Sequence, residues 1–335
     1  MRSDVKAVAE ATGINGGGVS AIPDVPDTIE ITNGATTDPY AIDVFADADA
    51  TSTLVTVDLQ GAVGGGSLLA AASLTQSNTT SETIASGIRG AAEDDIESSG
   101  KIKAYADADT NSTKVDVQLK GTEKGLVAGV VLSDTDTTAK ATAIGIETEY
   151  GINEIDNTST IESIAEANSK SLSVIVNVSG TLQGIAANLS LTESQTTADA
   201  IAKGIAAGEG DDIITNGDEL IPSPMDKIRA TATSTTTAVD VGVDTSITVN
   251  GGMALGVMLG RAGTTADATA TGIDAGYAQH HCGSCRSAHQ RFSQFRTRRN
   301  HRARHCDRYP WRRRHGHHNQ FLGNQWFVQV ACHNG

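Results

Sequence analysis

The sequence predicts an all-β repeat solenoid, similar to a parallel β-helix, with about 59 residues in each repeat and three short strand segments per repeat. The segment 46–61 recurs three more times, beginning at Ala106, Ala165 and Ala230. Within each copy apolar residues alternate with polar or small ones, which is typical of strands with one buried face. A fixed period of this length is typical of repeat architectures.

The first segment of each repeat ends in alternating valine and leucine residues. We expect these residues, together with the alanines, to point into the core, and Thr, Ser and Asp to point to solvent. Aligned without gaps, the copies form three columns: Val55, Val115, Val174 and Val239; Val57, Val117, Val176 and Val241; Leu59, Leu119, Val178 and Val243.

The second and third segments alternate in the same way. In the third segment a helix competes, because Ala198, Ile201, Ala202 and Ile205 also fit a helical stripe, but the alternation holds in every copy and favours a strand. The second segments carry Leu68, Ala70, Ala72 and Leu74; Leu126, Ala128, Val130 and Leu132; Ile185, Ala187, Leu189 and Leu191; Met253, Leu255, Val257 and Leu259. The third carry Ala139, Ala141 and Ala143; Ala198, Ala200 and Ala202; Ala266, Ala268 and Ala270, each set leading into Gly-Ile.

Polar turns follow the Gly-Ile pairs and separate one repeat from the next. An antiparallel β-sandwich of about 60 residues per unit is the architectural alternative. The patterns divide the chain into a partial repeat at 1–45, repeats at 46–105, 106–164 and 165–229, a truncated repeat at 230–277, and a basic tail at 278–335.

The charge is divided unevenly between the repeats and the tail. Residues 1–277 contain 14 Lys and Arg against 39 Asp and Glu, whereas the tail contains eleven Arg against Asp307 alone. All four Cys and all nine His also lie in the tail. A cysteine-free, acidic, Thr-rich body is typical of an exported bacterial surface protein. No apolar run approaches the roughly 20 residues of a membrane span, so we expect no such span and place the export signal outside this chain.

One turn carries candidate ligands for a metal ion. Gly208, Gly210, Asp211 and Asp212 have the spacing G-x-G-x-D-x-I, in which carboxylates and turn carbonyls offer hard oxygen ligands to Ca²⁺. The equivalent turns of the other repeats lack this spacing, and no second motif lies nine residues away. An acidic turn facing solvent is the alternative interpretation.

Four carboxylates in the first segments are expected to form a row across stacked repeats. These are Asp47, Asp49, Asp107 and Asp109. Paired carboxylates can perform acid and base catalysis, but such rows more often form a solvated face that keeps strands from aggregating. Because residues 1–277 contain no His or Cys, we predict no enzymatic activity.

The tail carries a zinc-like spacing, formed by Cys282, Cys285, His301 and His305. With its arginines it would make a zinc-dependent nucleic-acid-binding module, which is the second functional hypothesis. We prefer another interpretation, because His codons (CAY) and Asn codons (AAY) read one nucleotide later encode Thr or Ile, and the Gln279 codon (CAR) encodes Ser or Asn, which are residues of the repeats. On this hypothesis residues from about Tyr277 onward are an out-of-frame, disordered product of further repeats, and nucleic acid is not a partner.

Taken together, the Ala-x-Ala strands, Thr-Thr starts, Gly-Ile junctions and G-x-G-x-D-x-I turn make residues 1–277 resemble the long repetitive exoproteins of bacteria, of the RTX-adhesin or filamentous-haemagglutinin kind. The resemblance implies an extracellular or cell-surface location and a structural or adhesive role. The implied partners are host or cell-surface ligands, glycans or neighbouring repeats of the same protein. Ca²⁺ is the one cofactor considered.

Overall fold

The computed structural model describes residues 1–16, 30–34, 41–62, 67–91, 94–217, 227–250, 252–276 and 327–334. All its regular elements are strands, and no helix able to cross a membrane occurs in this part of the chain. The strands are β1 (Arg2–Asn15), β2 (Glu30–Asn33), β3 (Ile42–Ala62), β4 (Ser67–Arg89), β5 (Asp95–Ser98), β6 (Ile102–Glu147), β7 (Glu154–Asn157), β8 (Ile161–Ala206), β9 (Ile213–Asn216), β10 (Ile228–Thr248), β11 (Met253–Asp274) and β12 (Phe327–Asn334).

Successive repeats stack as the rungs of a parallel solenoid. Ile42 lies beside Ile102, and Ile102 lies beside Ile161, so equivalent positions are neighbours in space. Every strand pair in the described residues is parallel, which confirms the predicted all-β parallel fold and excludes the antiparallel sandwich. A parallel sheet of this kind satisfies the backbone donors and acceptors of each rung through the rungs above and below.

Each rung runs outward along one sheet and returns along a second sheet that faces the first. Side-chain contacts between the two halves are centred on a bend near Gly184: Ser171 Oγ lies 2.7 Å from Ser194 Oγ, and Asn177 Nδ2 donates to Ser190 Oγ at 3.3 Å. Gly184 has φ +145°, and a Cβ on it would collide with the carbonyl of Gly125 in the neighbouring rung, so only glycine suits this bend. The outgoing halves are 42–62, 102–122, 161–181 and 228–248; the return halves are 67–89, 125–147, 184–206 and 253–274.

The interior changes character from the base of each rung, where the short strands lie, to its tip, which is the bend near Gly184 and its equivalents. At the base, the short strands β2, β5, β7 and β9 close the loop, and Ile96 and Ile155 pack with the buried alanines of both sheets. In the middle, serine and threonine hydroxyls bond to one another, as Ser52 does to Ser77 at 3.0 Å. Near the tip the interior holds Lys114 and Asp116, which are almost completely buried. The largest apolar cluster therefore lies at the base, and single apolar side chains such as Val127, Val131 and Ile175 are also buried further out.

The valine and leucine columns face solvent rather than the core, so the prediction that they point inward is wrong. Val55, Val57 and Leu59 are 56%, 59% and 68% exposed, whereas Ala46 and Ala48 are buried. The physical reason is that the strand is continuous and successive side chains alternate between its two faces. The alanines occupy even positions in the first copy, and they leave the odd-numbered valines outside.

The apolar residues of the second segments also face outward instead of inward, because the second segments belong to the same strands as the third segments. The third segments are strands, as predicted, and Ala139, Ala141 and Ala143 are buried. Leu126 and Leu132 lie an odd number of residues before them and are partly exposed. Each repeat thus contains two long stretches and one strand of four residues within the predicted polar turn, instead of three short segments.

The fourth copy is displaced by two residues from the predicted alignment. Val174 lies beside Val241, and Val239 lies beside Leu172. A shift of two preserves the face on which each side chain lies, so the outward column is continuous across the shift.

One strand lies within the predicted tail. Residues 327–334 form β12, which pairs in parallel with Arg229–Thr236 of β10. The rest of the tail lies outside the described residues.

Candidate functional site

The two outer faces of the solenoid each carry an apolar band near the tip. The outgoing band consists of Val55, Val57, Leu59, Val115, Val117, Leu119, Val174, Val176, Val178, Val239, Val241 and Val243, and the return band of Leu68, Leu74, Leu126, Leu132, Ile185, Leu191, Met253, Leu255 and Leu259. Parallel in-register stacking puts equivalent residues side by side, so each band runs along the solenoid axis.

The return band contains a shallow groove of about 420 Å³. Its floor is a ladder of leucines from four successive rungs, Leu74, Leu132, Leu191 and Leu259, beside which Glu193 and Arg261 stand on the next outward column. Leucine side chains provide apolar contact area, and the flanking charges provide directional hydrogen bonds. This combination is typical of ligand sites, which pair a mainly apolar lining with a few polar groups.

The outgoing band borders a second depression of about 360 Å³ at the tip. Leu59, Leu119 and Val178 contribute its apolar wall, and Lys120 lies at its edge. The bands therefore offer apolar surface on both sides of the same thin pair of sheets.

Buried polar groups lie directly behind the bands. The Lys114 ammonium donates to the backbone carbonyls of Thr75 and Asp134, and it lies 4.0 Å from the Asp116 carboxylate. Burial lowers the pKa of Lys114 to about 8, and the nearby carboxylates of Asp116 and Asp134 offset only part of that effect. The Thr75 hydroxyl in turn donates to Asp116 Oδ2 at 2.6 Å. The tip of the rung thus has mainly polar groups inside and apolar groups outside.

The predicted carboxylate row exists on the outer face of the outgoing sheet, nearer the base. Asp47 lies beside Asp107, and Asp107 lies beside Glu166 of the next rung. Burial, followed by the charges of Asp109, Glu166 and Asp47, raises the pKa of Asp107 to about 6.

Two aromatic rings border this row. Phe45 and Tyr105 stack with centroids 5.0 Å apart, and the Tyr105 hydroxyl donates to Glu166 at 3.0 Å. The rings and carboxylates form a flat polar platform that the separate residues of the sequence pattern did not indicate.

The predicted calcium turn is engaged in stacking. The Asp212 carboxylate accepts hydrogen bonds from the backbone N–H of Asn153 at 3.0 Å and from its side-chain amide at 2.9 Å. Burial raises the pKa of Asp212, while these bonds oppose that rise. Gly208 and Gly210 have φ of +78° and +153°, so the glycines shape the turn, and Asp211 is exposed. The described residues contain no cluster of three acidic, His or Cys side chains suited to a metal ion. The calcium hypothesis stays a prediction.

The zinc-like residues Cys282, Cys285, His301 and His305 lie outside the described residues. The nucleic-acid hypothesis that depends on them receives no geometric test.

The apolar bands are the feature that sequence reasoning assigned to the wrong side. The signal that could have located them is parity: Ala106 and Ala108 share one face, and Val115, at an odd separation from both, must take the other face of a continuous strand.

Comparisons with protein-family models, with curated proteins and with solved structures find no match for this chain.

Proposed function

We propose that this chain is a structural and adhesive repeat segment of a large exported bacterial surface protein. The observation that supports the proposal is the outward position of the same apolar columns on rung after rung, most exposed in the first and last rungs, which produces two long bands on a regular scaffold. Monomeric soluble proteins rarely expose contiguous apolar patches of this kind unless they bind something. Repetition multiplies weak contacts into avidity, which suits adhesion.

The partners we propose are host or cell-surface ligands, including glycans, that contact a long surface instead of entering a pocket. The leucine ladder supplies apolar contact, and Glu193 and Arg261 supply polar contacts at its margin. Catalysis is not part of the proposal, because the body contains no His or Cys and its carboxylate row lies on an open face.

Binding of the purified chain to a printed glycan array and to alkyl-coated silica tests this function. The double variant Leu191→Ser/Leu259→Ser removes two rungs of the ladder, and it should weaken binding at least about tenfold, equivalent to about 1.4 kcal/mol. The matched variant Glu193→Ser/Arg261→Ser changes the next outward column and should retain binding to the alkyl surface.

The proposal is contradicted when the unmodified chain binds neither surface above the level of an unrelated acidic protein. The cell-surface location is tested separately, by immunogold labelling of intact cells of the source organism.

A further inference from the structure

Several strands of the solenoid, among them β1 and β11, have an unpaired edge within the described residues. β1 pairs with β4 alone, and β11 pairs with β8 alone, so one side of each strand has no neighbouring strand in the described residues. Natural proteins protect such edges with proline, bulges or inward-pointing charges. Neither strand contains proline, and their core-facing positions are Ala, Gly, Ser, Thr, Val and Met.

The two edges occupy the same columns of the solenoid. Through the intervening rungs, the register connects Ala9 to Thr83, Ala141, Ala200 and finally Ala268. One further step of that parallel register would place 2–15 of one copy beside 261–274 of another, with alanine against alanine on the core face.

A glycine column makes the match sterically specific. In each rung a Cβ at the glycine of the Gly-Ile junction would meet the glycine carbonyl of the next rung: Gly87 meets Gly145 O at 2.5 Å, and Gly204 meets Gly272 O at 2.5 Å. Only glycine permits this approach. Gly272 belongs to the unpaired edge of β11, and Gly13 occupies the same column on β1, so in a stacked pair the Gly13 carbonyl would approach Gly272, which has no Cβ to obstruct it.

The partial strands at the two edges also complement each other. β12 lies beside Arg229–Thr236 and so occupies the columns of 43–50 in the first rung. In that rung the Ser81 hydroxyl donates to the Ala48 carbonyl, so 43–50 face the part of β4 that contains Ser81. Ser81 pairs with Ala7 of β1, so β1 lies in the columns that face 43–50. β1 of a second copy would therefore lie opposite β12 and complete the base of a new rung.

We propose that copies of this chain stack head to tail, with β1 of one copy adding as the next parallel strand to β11 of another. The contact is heterologous, so each copy keeps one free edge of each kind and the assembly can grow into a filament. This inference is independent of the adhesive bands, which lie on the outer faces and not on the edges.

The test is sedimentation velocity of the full chain over two decades of concentration, comparing two single-methyl variants of the same strand. Gly272→Ala adds a methyl group on the open edge, where it would meet the glycine carbonyl of a stacked copy. Gly263→Ala is the control, because its Cβ would meet only Ser194 O at 3.9 Å. We expect the wild type and Gly263→Ala to grow in size with concentration, and Gly272→Ala to need at least about tenfold higher concentration for the same size.

Mixing variant chains with wild-type chains distinguishes head-to-tail stacking from association through the apolar bands. Gly272→Ala keeps β1, so it should cap wild-type assemblies and reduce their mean size, while Leu191→Ser/Leu259→Ser should stack like the wild type. Ala268→Lys, a core-facing charge on the same edge, repeats the test if circular dichroism shows that Gly272→Ala is unfolded. A wild type that stays monomeric, or an edge variant that is folded and assembles like the wild type, overturns the proposal.

Discussion

At the scale of single residues, the unusual feature is the number of ionisable groups held where water is scarce. Asp107 lies in a row of carboxylates, and burial and like charge favour its neutral form. Lys114 lies inside the tip, where burial also favours the neutral form. Both groups cost folding free energy near neutral pH, since each must carry its charge in an unfavourable environment or lose it.

The variant Asp107→Asn should stabilise the protein at pH 7. The folded-state pKa is about 6 and the unfolded reference is 3.8, so the folded state binds more protons between these values and stability rises as the pH falls through 6. Removing the charge should raise the free energy of unfolding by about 1 kcal/mol at pH 7, after allowance for screening by solvent, and by less at pH 4. Urea melts at both pH values measure this. Asp49→Asn, which removes an exposed carboxylate, is the control and should change stability by less than about 0.5 kcal/mol. An equal gain for Asp107→Asn at both pH values would contradict the electrostatic cause.

The buried pair at the tip should be replaceable as a unit but not in part. Leu54 and Thr56 occupy the columns of Lys114 and Asp116 in the first rung. Lys114→Leu/Asp116→Thr should therefore be neutral or stabilising by about 1–3 kcal/mol, whereas Asp116→Thr alone should cost about 3 kcal/mol because it leaves a buried ammonium without its carboxylate.

The same pair predicts a pH effect on the alkaline side. Because the pKa of Lys114 is about 8 when folded and 10.5 in the reference, the unfolded state binds more protons in this interval and stability should rise as the pH increases from 8. Thermal melts between pH 7 and 10 should show this rise in the wild type and not in the double variant. A wild-type melting temperature that falls steadily above pH 8 would be the contrary result.

At the scale of the elements, continuity of the strand decides the environment of every side chain. β6 and β8 each run for 46 residues, and the side chains on each half alternate between core and solvent except at the bend and at the Gly-Ile junction. The alanine positions near the base are the ones that can pack closely with the short strands β5 and β7, so they set the parity. The valines and leucines further out then take the opposite face, and the interior beside them holds mainly hydroxyl, amide and amine groups together with a few apolar side chains such as Val127 and Ile175.

The Gly-Ile junction is where this close packing is tightest. A Cβ at Gly145 would lie 2.6 Å from Gly204 O and closer still to Ile161 Cγ2, so Gly145→Ala should destabilise the protein by about 2–4 kcal/mol through overpacking. Gly121→Ala is the matched control, because no atom lies within 4 Å of its Cβ position. Chemical denaturation of the two variants measures the difference. Equal stability of both variants would show that the junction tolerates a methyl group.

At the scale of the whole molecule, stability should depend on the number of rungs and on their register. In a solenoid each rung contacts only its neighbours, so stability is close to a sum of rung and interface contributions. Polar groups inside the tip make each rung individually weak, and stacking provides the backbone hydrogen bonds that hold it.

Removal of one whole repeat should be tolerated when the register is kept. Deleting 106–164, which is 59 residues, joins Tyr105 to Ala165, and Ala165 lies beside Ala106 in the same column. The shortened chain should fold with a melting temperature lower by a few degrees. Deleting 105–164 puts Ala165 in the outward position of Tyr105, which turns the alanines of that rung to solvent, and this chain should melt far lower or fail to fold. Circular dichroism and thermal melting compare them, and identical melting of both would contradict the register argument.

The repeat itself was predictable from the sequence. The recurrence of residues 46–61, the Ala-x-Ala alternation and the Gly-Ile junctions indicate stacked strands, because identical side chains at equivalent positions pack in columns. The face occupied by Val115 or Leu132 depends on whether neighbouring segments belong to one strand. Only the tertiary structure showed that neighbouring segments belong to one strand. Alternation fixes which residues of a strand share a face, but it does not show where the strand ends. Tertiary packing of the alanines against the short strands at the base then placed the valines and leucines on the surface, where they form the candidate site.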